Sequence, residues 1–287
     1  MYKFFFIITL LITLVIFGCK IDKDEITTFR KEHKEKQTTN TILNKYKLRK
    51  YSHVKEFYSD LSESATKICL ENNIPPASLL AIAGLESGWN RGYIGQITGN
   101  ILSLNAKKSD KELPALRLPR VIKTKKIIFD KYEIEKYDSS EIVYENRPKS
   151  FKKDYRPEPY AGTNNNLAYF KYHPKEKAKA HAQNIEDFVT TFISRTSRIK
   201  AYSSSRAIMD SLVAKYGKNI LLKEETAILF IHSIGGKRNS YNSRASWPKK
   251  TIRIMYQVGL IDLTKDISEG NSFENSWNKK EATNTNS

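Results

Sequence analysis

The chain has 287 residues, 39% of them hydrophobic, enough for one large domain or two small ones with a buried core. Its 49 Lys and Arg outnumber 31 Asp and Glu, giving a net charge of +18 that is either a solvated surface or a match for an anionic partner: nucleic acid, anionic lipid or cell wall. Two cysteines exclude a disulfide-stapled scaffold and a cysteine-ligated zinc site.

The chain opens "MYKFFFIITLLITLVIFGC", one lysine and then a charge-free, mostly apolar run from Phe4 to Phe17 before Gly18-Cys19. That run is short for a spanning helix and fits an export signal. It resembles a bacterial lipoprotein signal, which implies lipidation of Cys19 and a place in the cell envelope, membrane-anchored and facing the periplasm or the cell surface. An uncleaved anchor helix is the alternative. Residues 1–18 are then the signal and 19–48 a polar tether. Cys69 falls on the apolar side of a helix and reads as a small core residue.

Helical periodicity dominates the chain beyond the tether. Val54, Phe57, Leu61, Ala65 and Ile68 mark one amphipathic helix, and Pro75-Pro76 opens the next. Pro174 begins a third, with Ala178, Ala182, Ile185, Phe188, Val189 and Phe192 as its inner face. Further helices are expected around Ala207–Tyr216 and Glu224–Ile234, and Pro248 opens the last. Residues 107–169 mix β-branched, aromatic and charged side chains in near alternation and read as irregular strands. Residues 266–287 read as a loose tail. The expectation is a mainly α domain over 49–265 with a small β-like insertion.

One carboxylate stands out, in "NIPPASLLAIAGLESGWN". Glu86 follows Leu79, Ile82 and Ala83 at helical spacing, which places it on the inward stripe. A carboxyl held against apolar neighbours loses hydration, which disfavours its charged form. A protonated glutamic acid can hand a proton to a leaving oxygen, as glycoside cleavage requires. The plainer alternative is a structural glutamate accepting backbone hydrogen bonds.

Glu86-Ser87-Gly88-Trp89, followed by Gly99-Asn100-Ile101-Leu102-Ser103-Leu104, resembles the bacterial glucosaminidases of the lysozyme superfamily, whose apolar helix ends in Glu-Ser-x-Trp before an Asn-rich loop. The resemblance implies a lysozyme-like fold, Glu86 as catalytic acid and peptidoglycan glycan strands as substrate, cleaved at N-acetylglucosamine. It gives Ser87, Trp89 and Asn100 substrate-binding places, with Ser87 orienting the carboxyl and Trp89 offering a sugar-stacking face. "SYNSRASWPKKTIRIM" resembles the family's C-terminal segment, closest to its Bax-like branch. That sets Tyr241 as a cleft-lining catalytic phenol and Arg244 beside the substrate. "YFKYHPKEK" resembles a β-lobe stretch and implies that Tyr172 binds substrate. There the family carries a second acid and this chain has none; Glu133, Glu135, Glu141 and Glu145 lie upstream, with Glu141 put forward. Without a second acid, a lytic transglycosylase, using the sugar's own hydroxyl, or a non-catalytic glycan-binding lipoprotein stays open. No histidine pair has metal-ligand spacing and no phosphate loop is present, so neither metal nor organic cofactor is implied. "NRPKSFKKDYRPEPY" interleaves bases and aromatics as single-strand nucleic-acid binders do, but export sets nucleic acid aside.

Overall fold

A computed structural model describes residues 45–284. Helix α1 (Ser52–Glu71) buries Val54, Phe57, Leu61 and Ala65 as their spacing predicts, along with Tyr58 and Cys69. Helix α2 (Pro76–Ser87) begins at proline, whose missing N–H costs nothing in a first turn, and is buried at every residue from Pro76 to Gly84. A helix apolar all round belongs inside a protein, and α2 is the axis of this one. Around it pack α1, α8 (Glu224–Ile234), α9 (Trp247–Val258) and α10 (Leu260–Ser268). Helix α7 (Lys200–Tyr216) covers α8.

Between α2 and the later helices lies a smaller lobe. It holds α3 (Tyr93–Thr98) and strands β1 (Leu116–Val121) and β2 (Ile142–Arg147), paired antiparallel from Leu116 opposite Arg147 to Val121 opposite Ile142. A short α4 (Lys131–Ile134) interrupts the connection and α5 (Tyr169–Tyr172) leads back to the helices. Ile97, Leu113, Leu116 and Leu118 form its own apolar cluster. The mainly α architecture with a small β insertion is the one the residue patterns imply.

Two elements differ from expectation. Helix α6 (Pro174–Glu186) buries Ala180, His181, Asn184 and Ile185 and runs into a π-helical turn, Asp187–Phe192, that buries Phe188 and Val189. Ala178 is exposed and Ala182 and Phe192 are only half-buried, while polar Asn184 takes an inner position and its Oδ1 accepts the Leu102 amide. The 266–287 segment is not loose over its described part. It forms α11 (Phe273–Asn284), with Phe273 and Trp277 buried and the Trp277 ring centre 6.4 Å from that of Tyr58 in a tilted arrangement. Two aromatics four residues apart suffice to dock an otherwise polar helix. The tether likewise ends earlier than residue 48: the Tyr46 hydroxyl donates to Asp262, and Leu48 packs on the core. Among the described residues no helix is long and apolar enough to cross a membrane. Residues 1–18 and Cys19 lie outside them.

Candidate active site

Glu86 owes its position to the end of α2 and not to a stripe along it. The helix is buried on every side up to Gly84, so the first polar side chain beyond that point emerges where the core stops, half-buried. The chain then turns sharply: Gly88, Trp89 and Asn90 have φ of 58°, 55° and 57°. Glycine takes this left-handed conformation freely, but a tryptophan pays roughly 1–2 kcal/mol for it. The Ser87 hydroxyl spans the turn, donating to the Ala83 carbonyl at 2.6 Å and accepting from the Asn90 amide at 2.9 Å. Ser87 is therefore a brace for the turn. The turn also swings Trp89 back onto the core, where its ring meets His53 edge-on at 6.0 Å and lies beside Tyr58. Trp89 thus packs on the core and does not line the pocket beside Glu86.

Another indole takes the place next to the acid. Trp247, at the start of α9, is 2% exposed, and its Nε1–H donates to Glu86 Oε1 at 2.7 Å. It is the only hydrogen bond to this carboxyl among the described residues, so Oε2 has no protein hydrogen-bond partner there. The indole fits because residue 235 is glycine: a Cβ there would stand 2.2 Å from the Trp247 ring. Gly235 thus sets the height of the ring that holds the acid.

Tyr241 stands in the loop after α8. Its amide donates to the Ile234 carbonyl at 2.8 Å, and Gly236 donates to the Asn242 carbonyl at 2.7 Å, closing the loop on itself. The ring is wedged between Phe188, edge-on at 5.6 Å, and Trp247 at 5.5 Å. Its hydroxyl donates to the Leu102 carbonyl. Burial drives the phenol well above its ordinary pKa, and the nearby Glu86 charge adds to the rise, so it remains a donor at any working pH. Lys152, from the β lobe, lies within electrostatic reach of the same carboxylate without an ion pair to it. Its ammonium donates to the Ser103 carbonyl at 2.7 Å and to Asn105 Oδ1 at 2.8 Å. Burial lowers its pKa while the charge on Glu86 opposes that fall, placing lysine and acid in one electrostatic field. Neither Trp247 nor Lys152 is marked by sequence as a site residue; a Trp-Pro at a helix start reads as core, and a lysine in a basic loop reads as surface.

The remaining expectations fare unevenly. Arg244 lines a pocket of about 140 Å³ with Leu85, Glu86, Asn242, Trp247 and Lys250. Asn100 does not face substrate. It is 3% exposed, its amide donates to Leu104 and Lys153 carbonyls, and its Oδ1 accepts from the Leu104 amide and from Asn184, which also holds the Leu102 amide. Asn100 is the knot that fastens the Gly99–Leu104 loop to α6. Tyr172 is 49% exposed and donates to Asp130 at 2.6 Å, outside the pocket. Glu141 is outside it too: its carboxylate accepts the Asp138 amide in a capping box at the start of β2. Glu133 is paired with Lys126, and Glu145 with Arg120 and Arg147. Among the described residues Glu86 is the single acid lining its pocket, and no group of three or more His, Cys, Asp or Glu could hold a metal. A wider hollow of about 640 Å³ in the β lobe, rimmed by Lys107, Lys108, Lys111 and Lys149, contains none of these residues.

No protein-family model matches the chain, and no curated protein matches it. Among solved structures it is similar to the catalytic domain of the autolysin Auto from Listeria monocytogenes, at 13% identity and a TM-score of 0.37, over 74% of this chain and 87% of that one. The chemistry therefore rests on the residues around Glu86.

Proposed function

We propose that this protein is a cell-wall glycoside-cleaving enzyme that cuts peptidoglycan strands at N-acetylglucosamine, with Glu86 as its acid, and that lipid on Cys19 tethers it to the membrane. One observation carries the reading: a lone carboxylate emerges from the end of a buried helix into a pocket, fixed by a single N–H from a buried indole. An acid held by one oxygen keeps the other for chemistry. In its protonated form Glu86 delivers a proton to the glycosidic oxygen as the bond to the anomeric carbon breaks. The electron-poor sugar is then captured by an oxygen nucleophile, whose proton returns to the Glu86 carboxylate. The Glu-Ser-Gly-Trp resemblance supports the same assignment.

A paired-carboxylate mechanism needs a second acid about 5–9.5 Å away, and Glu86 has no such companion lining its pocket among the described residues. This favours a nucleophile from the substrate itself, the route of a lytic transglycosylase, in which a sugar hydroxyl closes onto the anomeric carbon. Tyr241 is suited to hold the loop that shapes that cavity, since its hydroxyl is committed to Leu102.

The test is a zymogram on purified peptidoglycan with product analysis. Wild type should clear the wall, and Glu86→Gln should fold normally and lose about 10²–10⁴-fold in rate, the usual worth of a general acid. Anhydro-sugar ends would establish the intramolecular route and reducing ends would establish hydrolysis. A well-folded Glu86→Gln protein that retains full activity would remove Glu86 from the mechanism.

A further inference from the structure

The pocket beside Glu86 is small and lined by two cations against one acid. At about 140 Å³ it has room for four or five waters at about 30 Å³ each, well short of the roughly 300 Å³ at which small-molecule sites begin. It is too small for a sugar ring and large enough for a substituent carried by one. Two of its lining residues, Arg244 and Lys250, are exposed cations whose side chains make no ion pair or hydrogen bond among the described residues. Several basic residues of the smaller lobe are engaged: Lys152 on Ser103 and Asn105, Lys153 on Asp187, Arg120 and Arg147 on Glu145. Glu86 is the pocket's one acid, and its Oε1 already accepts from Trp247.

From this we infer that the pocket is a subsite for a carboxylate borne on the sugar next to the scissile bond, bound by the Arg244 guanidinium and the Lys250 ammonium. The inference rests on the glycan-cleaving reading and deepens it by naming the substituent. Arg244 supplies a planar fork matched to a carboxylate's two oxygens, and Lys250 supplies a point charge from the first turn of α9. Asn242 lines the same pocket and its Oδ1 accepts the Arg244 amide at 3.1 Å, which fixes the backbone that carries the guanidinium. In a wall glycan such a carboxylate has two sources. One is the lactyl group of a muramic residue whose peptide has been removed, lying directly against the ring. The other is a carboxylate further out on an intact peptide. The pocket's small volume favours the first, so an amidase-type reaction that strips the peptide is the class of step that would supply the preferred substrate.

The experiment measures binding, so that it can be read whether or not the chain cleaves glycans. Glu86→Gln protein, with and without Arg244→Gln and Lys250→Gln together, is titrated with three ligands: peptide-stripped glycan strands, the same strands with the lactyl carboxylate reduced to an alcohol, and strands with peptides intact. Both cations are exposed, and the substitutions leave the core untouched. The expected result is tightest binding to the stripped strands, a loss of at least tenfold on reducing the carboxylate, and the same loss in the double variant, which no longer distinguishes acid from alcohol. Tightest binding to peptide-bearing strands, with the same cation dependence, would overturn the lactyl source. Equal affinity of the parent protein for acid and alcohol, or an undiminished preference in the double variant, would overturn the subsite. Failure of wild type to cleave any strand would count against the catalytic reading alone.

Discussion

A buried tryptophan on one wall holds the acid on the other, so the Trp247–Glu86 hydrogen bond is where the site is most exposed to a single-atom change. Trp247→Phe removes the indole N–H and keeps most of the ring that rests on Gly235. Hydrogen bonds to charged groups contribute about 1.5–3 kcal/mol, so turnover on solubilised wall fragments should fall roughly 10- to 100-fold, with the thermal midpoint shifted by only a few degrees. Full activity would show that the indole packs without positioning the acid. His181 allows a second residue-scale test. It is buried on α6, and burial, helped by Lys177, pushes its pKa down to about 3. The imidazole then stays neutral in the folded protein while the unfolded chain takes up a proton below about pH 6.5, so stability falls as pH drops from 6.5 toward 3. Urea unfolding at pH 7 and pH 5 should show wild type losing about 2 kcal/mol more than His181→Leu over that interval. Legibility at this scale depends on what a side chain needs. Glu86 is readable because a carboxylate closing an apolar run has few reasons to be there. Ser87 and Asn100 are not, because a polar loop residue does not declare whether its partner is a sugar or its own backbone; both spend their hydrogen bonds on the turn and the loop they belong to.

The elements that build the pocket meet through glycine. The ring of Trp247 lies against Gly235 so closely that a methyl group has no space. Gly235→Ala should therefore cost about 1–3 kcal/mol, the usual penalty of overpacking, and should also lower activity because the ring that holds Glu86 must move. Chemical denaturation followed by tryptophan fluorescence, alongside the zymogram, separates the two effects. A variant as stable and as active as wild type would mean that the loop yields without disturbing the acid. Helices α1, α2 and α8 are legible from periodicity and proline because each buries a full apolar face. Helix α11 is not, since Phe273 and Trp277 are its only large apolar anchors in a polar run. Nor is the phase of α6, where the buried positions include Asn184 and His181, kept inside by hydrogen bonding and packing and not by hydrophobicity.

For the molecule as a whole, the charge of +18 gives an expectation for where it binds. If the charge draws the enzyme to an anionic wall, sedimentation with insoluble peptidoglycan should weaken steeply between 0.1 M and 1 M salt, as the Debye length shrinks from about 10 Å to about 3 Å. Binding unchanged over that range would mean that the surface charge is only solvated. The mainly α plan with a β insertion is legible from pattern alone; how Glu86 and Trp247 come together is not, because the two are far apart in the chain and meet only in three dimensions. Arg49 shows how the folded unit is closed. Its guanidinium donates to the Val258 carbonyl at 2.7 Å and the Trp277 carbonyl at 2.6 Å, and it lies 4.7 Å from the Tyr46 ring centre and 4.4 Å from that of Trp277. Segments near the two ends of the described residues thus meet at one clasp. The chain's order of residues is then a convenience of synthesis: joined across the clasp and opened at the exposed Lys123-Thr124 turn, the same contacts would be read from a different starting point with the pocket intact.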